Sequence, residues 1–334
     1  LSATFSFGNP SSPNIPGANL GTPIFDGRLN IVQARTLTGS LRMGVNSIYG
    51  NATFTTTVNT PDTLYLNPTA STGLSGTGTF VGTGTLNFGN AALNNTFPTT
   101  NVPSGTAPAN FGGRIILGNG VNFAANYNVL NSTLLQVNGT STVNTGVTLT
   151  FTNTATNTLS GTGVLQAQSA TSVITFAAGA NGGTVPGANI ATGYVGQLTT
   201  AGAMNLAGNL NMGATSVLNL GGNLTLSPTS QVTLGMSSVP TTALTGAGLI
   251  VGQPTVAGTP EIVLANGALT GQVPGVAKIS TGAGAAQFGG RLTIGTGYAI
   301  TSNTAINQPA ILNIQSGAQL TVNAGMTLSL NTTN

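Results

Sequence analysis

Apolar side chains alternate with Thr, Asn and Ser in short runs along most of the chain. Examples are Thr63-Leu64-Tyr65-Leu66, Val147-Thr148-Leu149-Thr150-Phe151, Val217-Leu218-Asn219-Leu220, Asn223-Leu224-Thr225-Leu226, Ile311-Leu312-Asn313-Ile314, Leu320-Thr321-Val322 and Thr327-Leu328-Ser329-Leu330. A period of two sends successive side chains to opposite faces, so these runs predict short, half-buried β-strands. Turn residues separate them: Gly221-Gly222, Pro228-Thr229-Ser230, Ser316-Gly317, Asn323-Ala324-Gly325. No extended 3.6-residue apolar stripe is present, and 49 Gly and 16 Pro are scattered throughout, which argues against helices. Strand starts at Val217, Asn223 and Gln231, and at Ile311, Gln319 and Met326, lie six to eight residues apart. Such short strands fit a parallel β-solenoid, or β-helix, in which each turn of the chain stacks on the last. Leu, Val, Ile and Phe would point inward, and Thr, Asn and Ser outward.

The pattern is itself repeated. Phe25-Asp26-Gly27-Arg28-Leu29 returns as Phe111-Gly112-Gly113-Arg114-Ile115, as Tyr194-Val195-Gly196-Gln197-Leu198 and as Phe288-Gly289-Gly290-Arg291-Leu292, in steps of 86, 83 and 94 residues. A second phrase, Leu74-Ser75-Gly76-Thr77-Gly78, returns as Leu159-Ser160-Gly161-Thr162-Gly163 and Leu244-Thr245-Gly246-Ala247-Gly248, in two steps of 85. A fixed period marks one supersecondary unit copied in tandem. The reading is an all-β chain of about four ~85-residue repeats: 1–73 (shortened at its start), 74–158, 159–243 and 244–334 (truncated at its end), all in one continuous solenoid. At ~20 residues per turn, each repeat would make about four turns. From marker to strand (28 to 64, 114 to 149, 197 to 234, 291 to 328) the length is nearly constant, at 36, 35, 37 and 37 residues. From the second phrase to the next marker it varies (40, 38 and 47), so the loops belong there. The rival architecture is a string of β-sandwich modules, which would show longer strands and flexible linkers.

Composition narrows the function. Only 3% of residues are charged, with six basic, three acidic and no His, Cys or Trp. With 40% apolar residues the chain is not of the highly charged disordered class. Polar residues interrupt every apolar run before it could span a membrane as a helix. Six scattered cations make no nucleic-acid footprint. Neighbouring coils lie about 4.8 Å apart. Like charges at that spacing repel by about 1 kcal/mol in water and more near protein, whereas Thr and Asn extend hydrogen-bonded ladders. An uncharged polar surface therefore suits long stacking, and it removes the charged edge residues that normally block strand addition.

Phrases such as Asn223-Leu224-Thr225-Leu226, Leu159-Ser160-Gly161-Thr162-Gly163-Val164-Leu165 and Gln319-Leu320-Thr321-Val322-Asn323-Ala324-Gly325 resemble the Gly/Thr/Asn-rich repeats of secreted bacterial surface proteins. Autotransporter passengers and type IX-secreted, adhesin-like proteins look like this. The resemblance covers nearly the whole chain. It implies a β-solenoid at the cell surface or beyond it, and it carries no catalytic residues. The chain departs from the calcium-binding nonapeptide type, because Asp-bearing repeats are missing. The first residue, Leu1, suggests a processed, exported form.

Candidate chemistry is sparse. The whole supply of carboxylates is Asp26, Asp62 and Glu261, at non-equivalent positions of the repeat. A general acid–base pair, a His-activated nucleophile and a zinc site all lack their residues, so the expectation is a protein that is not an enzyme and needs no cofactor or metal. Gly76-Thr77-Gly78 has no following helix or Lys to make it a phosphate loop and reads as a tight solenoid corner. The only patterned charge is the marker row Arg28, Arg114, Gln197 and Arg291. It reads either as a spaced basic row for an anionic glycan or as a side chain satisfying carbonyls at a corner, and the uncharged Gln197 favours the second. Sequons at Asn51, Asn94, Asn131, Asn138, Asn223 and Asn331 match what chance gives in so Asn- and Thr-rich a chain.

The ends are out of phase with the repeat. Thr327–Asn331 matches Thr63–Asn67, and Phe5-Ser6-Phe7-Gly8-Asn9 matches Leu86-Asn87-Phe88-Gly89-Asn90, with neither end showing a charged cap. An uncapped solenoid exposes strand edges, and a head-to-tail contact between them does not close. The expected function is an extracellular structural protein that assembles with itself into a filament, with Phe5, Phe7, Leu328 and Leu330 at the subunit contact. The alternative is a cell-surface adhesin or stalk that recognises surface glycans through the variable loops.

Overall fold

A computed structural model of the chain describes residues 4–7, 12–20 and 24–331. It forms two compact units, Leu1–Leu165 and Gln166–Asn334, so the division falls inside the third sequence repeat. Each unit is a β-solenoid. Every ladder between strands is parallel, and each strand pairs with the strand one coil away. The sandwich alternative is not realised, because short strands separated by corners stack coil upon coil instead of folding back antiparallel.

Unit 1 has three main ladders, and a shorter one pairs Tyr127–Val129 with Thr148–Phe151. The first main ladder holds Thr4–Phe7, Arg28–Ile31, Ile48–Asn51 and Leu74–Ser75; the next holds Asn14–Pro16, Arg35–Thr38, Thr56–Thr57 and Phe80–Val81. The third holds Leu41–Met43, Thr63–Leu66, Thr85–Phe88, Arg114–Leu117, Leu134–Val137 and Leu159–Ser160. The chain visits them in rotation, which makes each coil three-sided. Unit 2 repeats the plan with Val173–Phe176, Gln197–Thr200, Val217–Leu220 and Leu244–Thr245, with Thr184–Pro186, Met204–Ala207, Leu224–Leu226 and Ile250–Val251, and with Leu210–Met212, Gln231–Leu234, Glu261–Leu264, Arg291–Ile294 and Ile311–Ile314. A coil takes from 20 residues, where Arg28 pairs with Ile48, to 30, where Glu261 pairs with Arg291.

The alternation seen in the sequence becomes an inside and an outside. Leu64, Leu86, Ile115 and Leu135 stack in register on successive coils and are all fully buried. Each such side chain stabilises the stack by roughly 1.5–3 kcal/mol relative to exposure. Thr63, Thr85 and Arg114 stack on the outer face of the same strands. In unit 1 the rings of Phe88, Phe97, Phe123 and Tyr127 lie 5.0–5.9 Å apart in an internal chain of contacts.

The ~85-residue repeat, expected to make about four turns, can be counted in sides of the coil. From Arg28–Ile31 to Arg114–Leu117 the chain takes eleven sides, counting the single bridges at Thr96 and Ser104, and from Gln197–Thr200 to Arg291–Ile294 it again takes eleven. Eleven sides at three per coil is three and two-thirds turns. The repeat is therefore not a whole number of coils, and within each unit the second copy of the marker falls one face short of the first.

Candidate functional site

The marker phrase is a device for restarting a strand. Its aromatic residue fills the interior: Phe25, Phe111, Tyr194 and Phe288 are all buried. Its third position touches the coil below. A Cβ on Gly113, Gly196 or Gly290 would lie 2.0, 2.4 or 2.1 Å from the carbonyl oxygen of Gly84, Ser172 or Pro260. The next residue, Arg114, Gln197 or Arg291, donates its backbone N–H to that same carbonyl at 2.9 Å in each case. What recurs is thus the backbone bond, which explains why Gln197 can replace arginine.

The marker side chains do not form a row. In unit 1 Arg28 and Arg114 belong to different ladders, and in unit 2 so do Gln197 and Arg291. Arg114 Nη1 donates to Gln136 Oε1 at 3.0 Å, and Gln197 Nε2 to Thr199 Oγ1 at 3.0 Å, both on outer faces. These two side chains meet outer-face side chains rather than corner carbonyls.

The second phrase is the tight corner. Gly76, Gly161 and Gly246 all have positive φ, at 95°, 103° and 77°. A Cβ at Gly78, Gly163 or Gly248 would lie 2.2, 2.0 or 2.0 Å from a carbonyl oxygen of the preceding coil. Both glycines are therefore required, one for its conformation and one for close approach. The backbone N–H groups of Gly78, Gly163 and Gly248 donate to Asn51, Val137 and Leu220 carbonyls at 2.7–2.9 Å.

A third recurring feature escaped the sequence reading. Ile15-Pro16, Phe97-Pro98, Val185-Pro186 and Val273-Pro274 occupy matching places, and a few residues later come Asn19, Asn101, Asn189 and Lys278. The Asn101 and Lys278 carbonyls accept from equivalent N–H groups, Phe80 at 2.7 Å and Ile250 at 2.9 Å. Their side chains then serve the glycine corner of the coil below. Asn101 Nδ2 donates to the Gly76 and Gly78 carbonyls at 3.1 and 2.8 Å. Lys278 Nζ donates to the Thr245 carbonyl at 3.2 Å and to the Gly246 carbonyl. Partial burial holds the Lys278 ammonium pKa below its ordinary value. An insertion in the fourth copy hides this equivalence in the sequence.

Beside Lys278 lies an open groove in unit 2, walled by Pro240, Thr241, Leu244, Gln272, Val273, Thr301 and Ser302. A smaller groove occupies the matching place in unit 1, lined by Ser71, Leu74, Leu93, Thr96, Pro98 and Asn101. The three carboxylates are apart from both. Asp26 lines a groove with Asn46, Ser47 and Thr69, and Glu261 accepts from Gln231 Nε2 at 2.8 Å and Thr293 Oγ1 at 2.5 Å. Among the described residues no three His, Cys, Asp or Glu gather as a metal site would require, and no helix is long and apolar enough to cross a membrane. Of the sequons, Asn51 is fully buried, whereas Asn94, Asn131 and Asn138 are exposed.

The residues expected at a subunit contact lie on the first and last described strands. Phe5 and Phe7 stand in register with the buried Leu29 and Ile31, and Phe5 is 46% exposed. Leu328 and Leu330 stand in register with Thr304 and Ile306, and Leu330 is 57% exposed. No family model, curated protein or solved structure matches the chain.

Proposed function

We propose that the chain is an extracellular structural protein of the cell surface or its surroundings, which associates with copies of itself through open solenoid edges to build a filament. One observation carries the reading. Ile314, Val322 and Leu330 point the same way as Ile294, Ile300 and Ile306 one coil below, yet they are 45, 42 and 57% exposed where the others are at most 2%. Covering each would contribute up to roughly 1.5–3 kcal/mol, set against the entropy lost on association. Among the described residues, the strands Ile311–Ile314, Leu320–Val322 and Leu328–Asn331 have a ladder neighbour on one side only. Asn331 Nδ2 donates to Asn307 Oδ1 at 2.7 Å, a contact that an added strand with asparagine in register would extend. No charge on these three strands opposes strand addition.

Light scattering and electron microscopy of the full chain test the proposal. The expected result is concentration-dependent elongation, abolished by the paired change Val322→Lys and Leu330→Lys. A chain that stays monomeric at every concentration, or a double variant that elongates as before, overturns it. The second reading, a surface stalk that recognises glycans, draws its support from the groove at Lys278.

A further inference from the structure

In two repeats a side chain donates to the carbonyls of a glycine corner, and at Asn101 a neutral amide is enough. Asn101 does this in unit 1 with two hydrogen bonds, and Asn19 and Asn189 hold the matching sequence positions. The fourth repeat departs from the others by placing there the only lysine of the chain. Two of the three ammonium protons go to the Thr245 and Gly246 carbonyls, which leaves one donor and a full positive charge. That charge borders the groove of unit 2, whose lining holds no carboxylate to neutralise it. The lining also carries hydroxyl and amide groups (Thr241, Gln272, Thr301, Ser302) and an accessible apolar strip of Pro240 and Ala277, Leu244 and Val273 being buried.

We propose that this groove binds a uronic acid residue of an acidic polysaccharide. The Lys278 ammonium pairs with the sugar carboxylate, the hydroxyl and amide groups meet the ring hydroxyls, and the apolar strip faces the C–H side of the ring. A polyhydroxylated acid is the ligand whose chemistry complements all three parts of the lining; the matching groove of unit 1 has Asn101 in place of the cation and lacks the first part. The proposal does not depend on self-association, since binding is counted per chain whether the protein is monomeric or polymerised.

Calorimetric titration of the full chain with tetragalacturonate tests it, with the methyl-esterified tetramer and a short peptide with a free C-terminal carboxylate as comparators. Lys278→Asn removes the charge and keeps an amide that already serves the same corner at residue 101, so thermal unfolding should be unchanged while affinity falls at least about tenfold. Asn101→Lys should add a second, similar site per chain. The proposal is overturned if tetragalacturonate fails to bind at millimolar concentration, or if Lys278→Asn binds as the parent does. It is equally overturned if the ester binds as tightly as the acid, if the peptide binds more tightly than the uronate, or if Asn101→Lys leaves the stoichiometry unchanged.

Discussion

The early coils of unit 1 and the matching coils of unit 2 share a backbone plan and differ in what they enclose. In unit 1 the inward positions include Arg35, Tyr49, Asn51 and Thr56, each at most 3% exposed. Their counterparts in unit 2 are Met204, Leu218, Leu220 and Leu224, equally buried. The polar set is partly satisfied. Arg35 Nη2 donates to the Phe7 carbonyl at 3.0 Å and Nη1 to that of Ser12, while the Tyr49 and Thr56 hydroxyls lie 2.9 Å apart. Burial pushes the Tyr49 phenol pKa up, with the Thr56 bond opposing the shift in part. At Asn51 neither Oδ1 nor Nδ2 has a hydrogen-bond partner. The ladder bonds hold both interiors in one shape, so the shape tolerates polar residues inside. The stability does not, because an orphaned buried amide costs about 1–3 kcal/mol.

The comparison is sharpest at one register pair, Ile31 and Asn51 in unit 1, whose counterparts by sequence are Thr200 and Leu220 in unit 2. The largest effect is expected for Leu220→Asn, which imports the orphaned amide and loses apolar burial, at about 3–5 kcal/mol. Next come Gly76→Val and Gly246→Val, each about 3 kcal/mol through strain and overpacking against a carbonyl. Because the corner is the same in both units, the two should cost alike, and a large inequality between them would break the claim of a shared backbone plan. Asn51→Leu, nearly isosteric, should stabilise unit 1 by about 1–3 kcal/mol; a loss instead would show that the amide has a buried partner. Thr200→Val, which deletes a hydroxyl without a partner, should gain about 1 kcal/mol. The smallest effect concerns Thr270, a β-branched residue at φ 49° where the matching turns have Asn94 and Gly182; Thr270→Gly should gain about 0.5–1 kcal/mol. Urea unfolding gives the total change, and amide hydrogen exchange assigns it to a unit.

Much of this plan was legible in the chain. The alternation in Thr63–Leu66 and Val217–Leu220 marks which side chains enter the core, because side-chain direction in a strand depends only on parity. The corner glycines were legible because their requirement is local: a positive φ at Gly76, and no room beside Gly78. The role of the marker was only half legible. Its recurrence was plain, but the conspicuous arginine proved less important than the aromatic and the glycine just before the strand start. The Asn101–Lys278 correspondence was not legible, because an insertion changes the spacing and the residue type changes with it.

What the sequence alone determined is the class of fold and its inside and outside, since alternation, turn chemistry and a fixed period act over a few residues at a time. What only the tertiary structure decided is the number of sides per coil, and with it where each recurring residue falls. Eleven sides do not divide by three, so residues that match in sequence, such as Arg28 and Arg114, stand on different faces. The same closure brings Lys278 over a corner more than thirty residues away, at Gly246, and gives it a groove to face. A period along the chain measures contour length. Which side chains share a surface depends on how that length is divided among corners, and corners are set by contacts between coils.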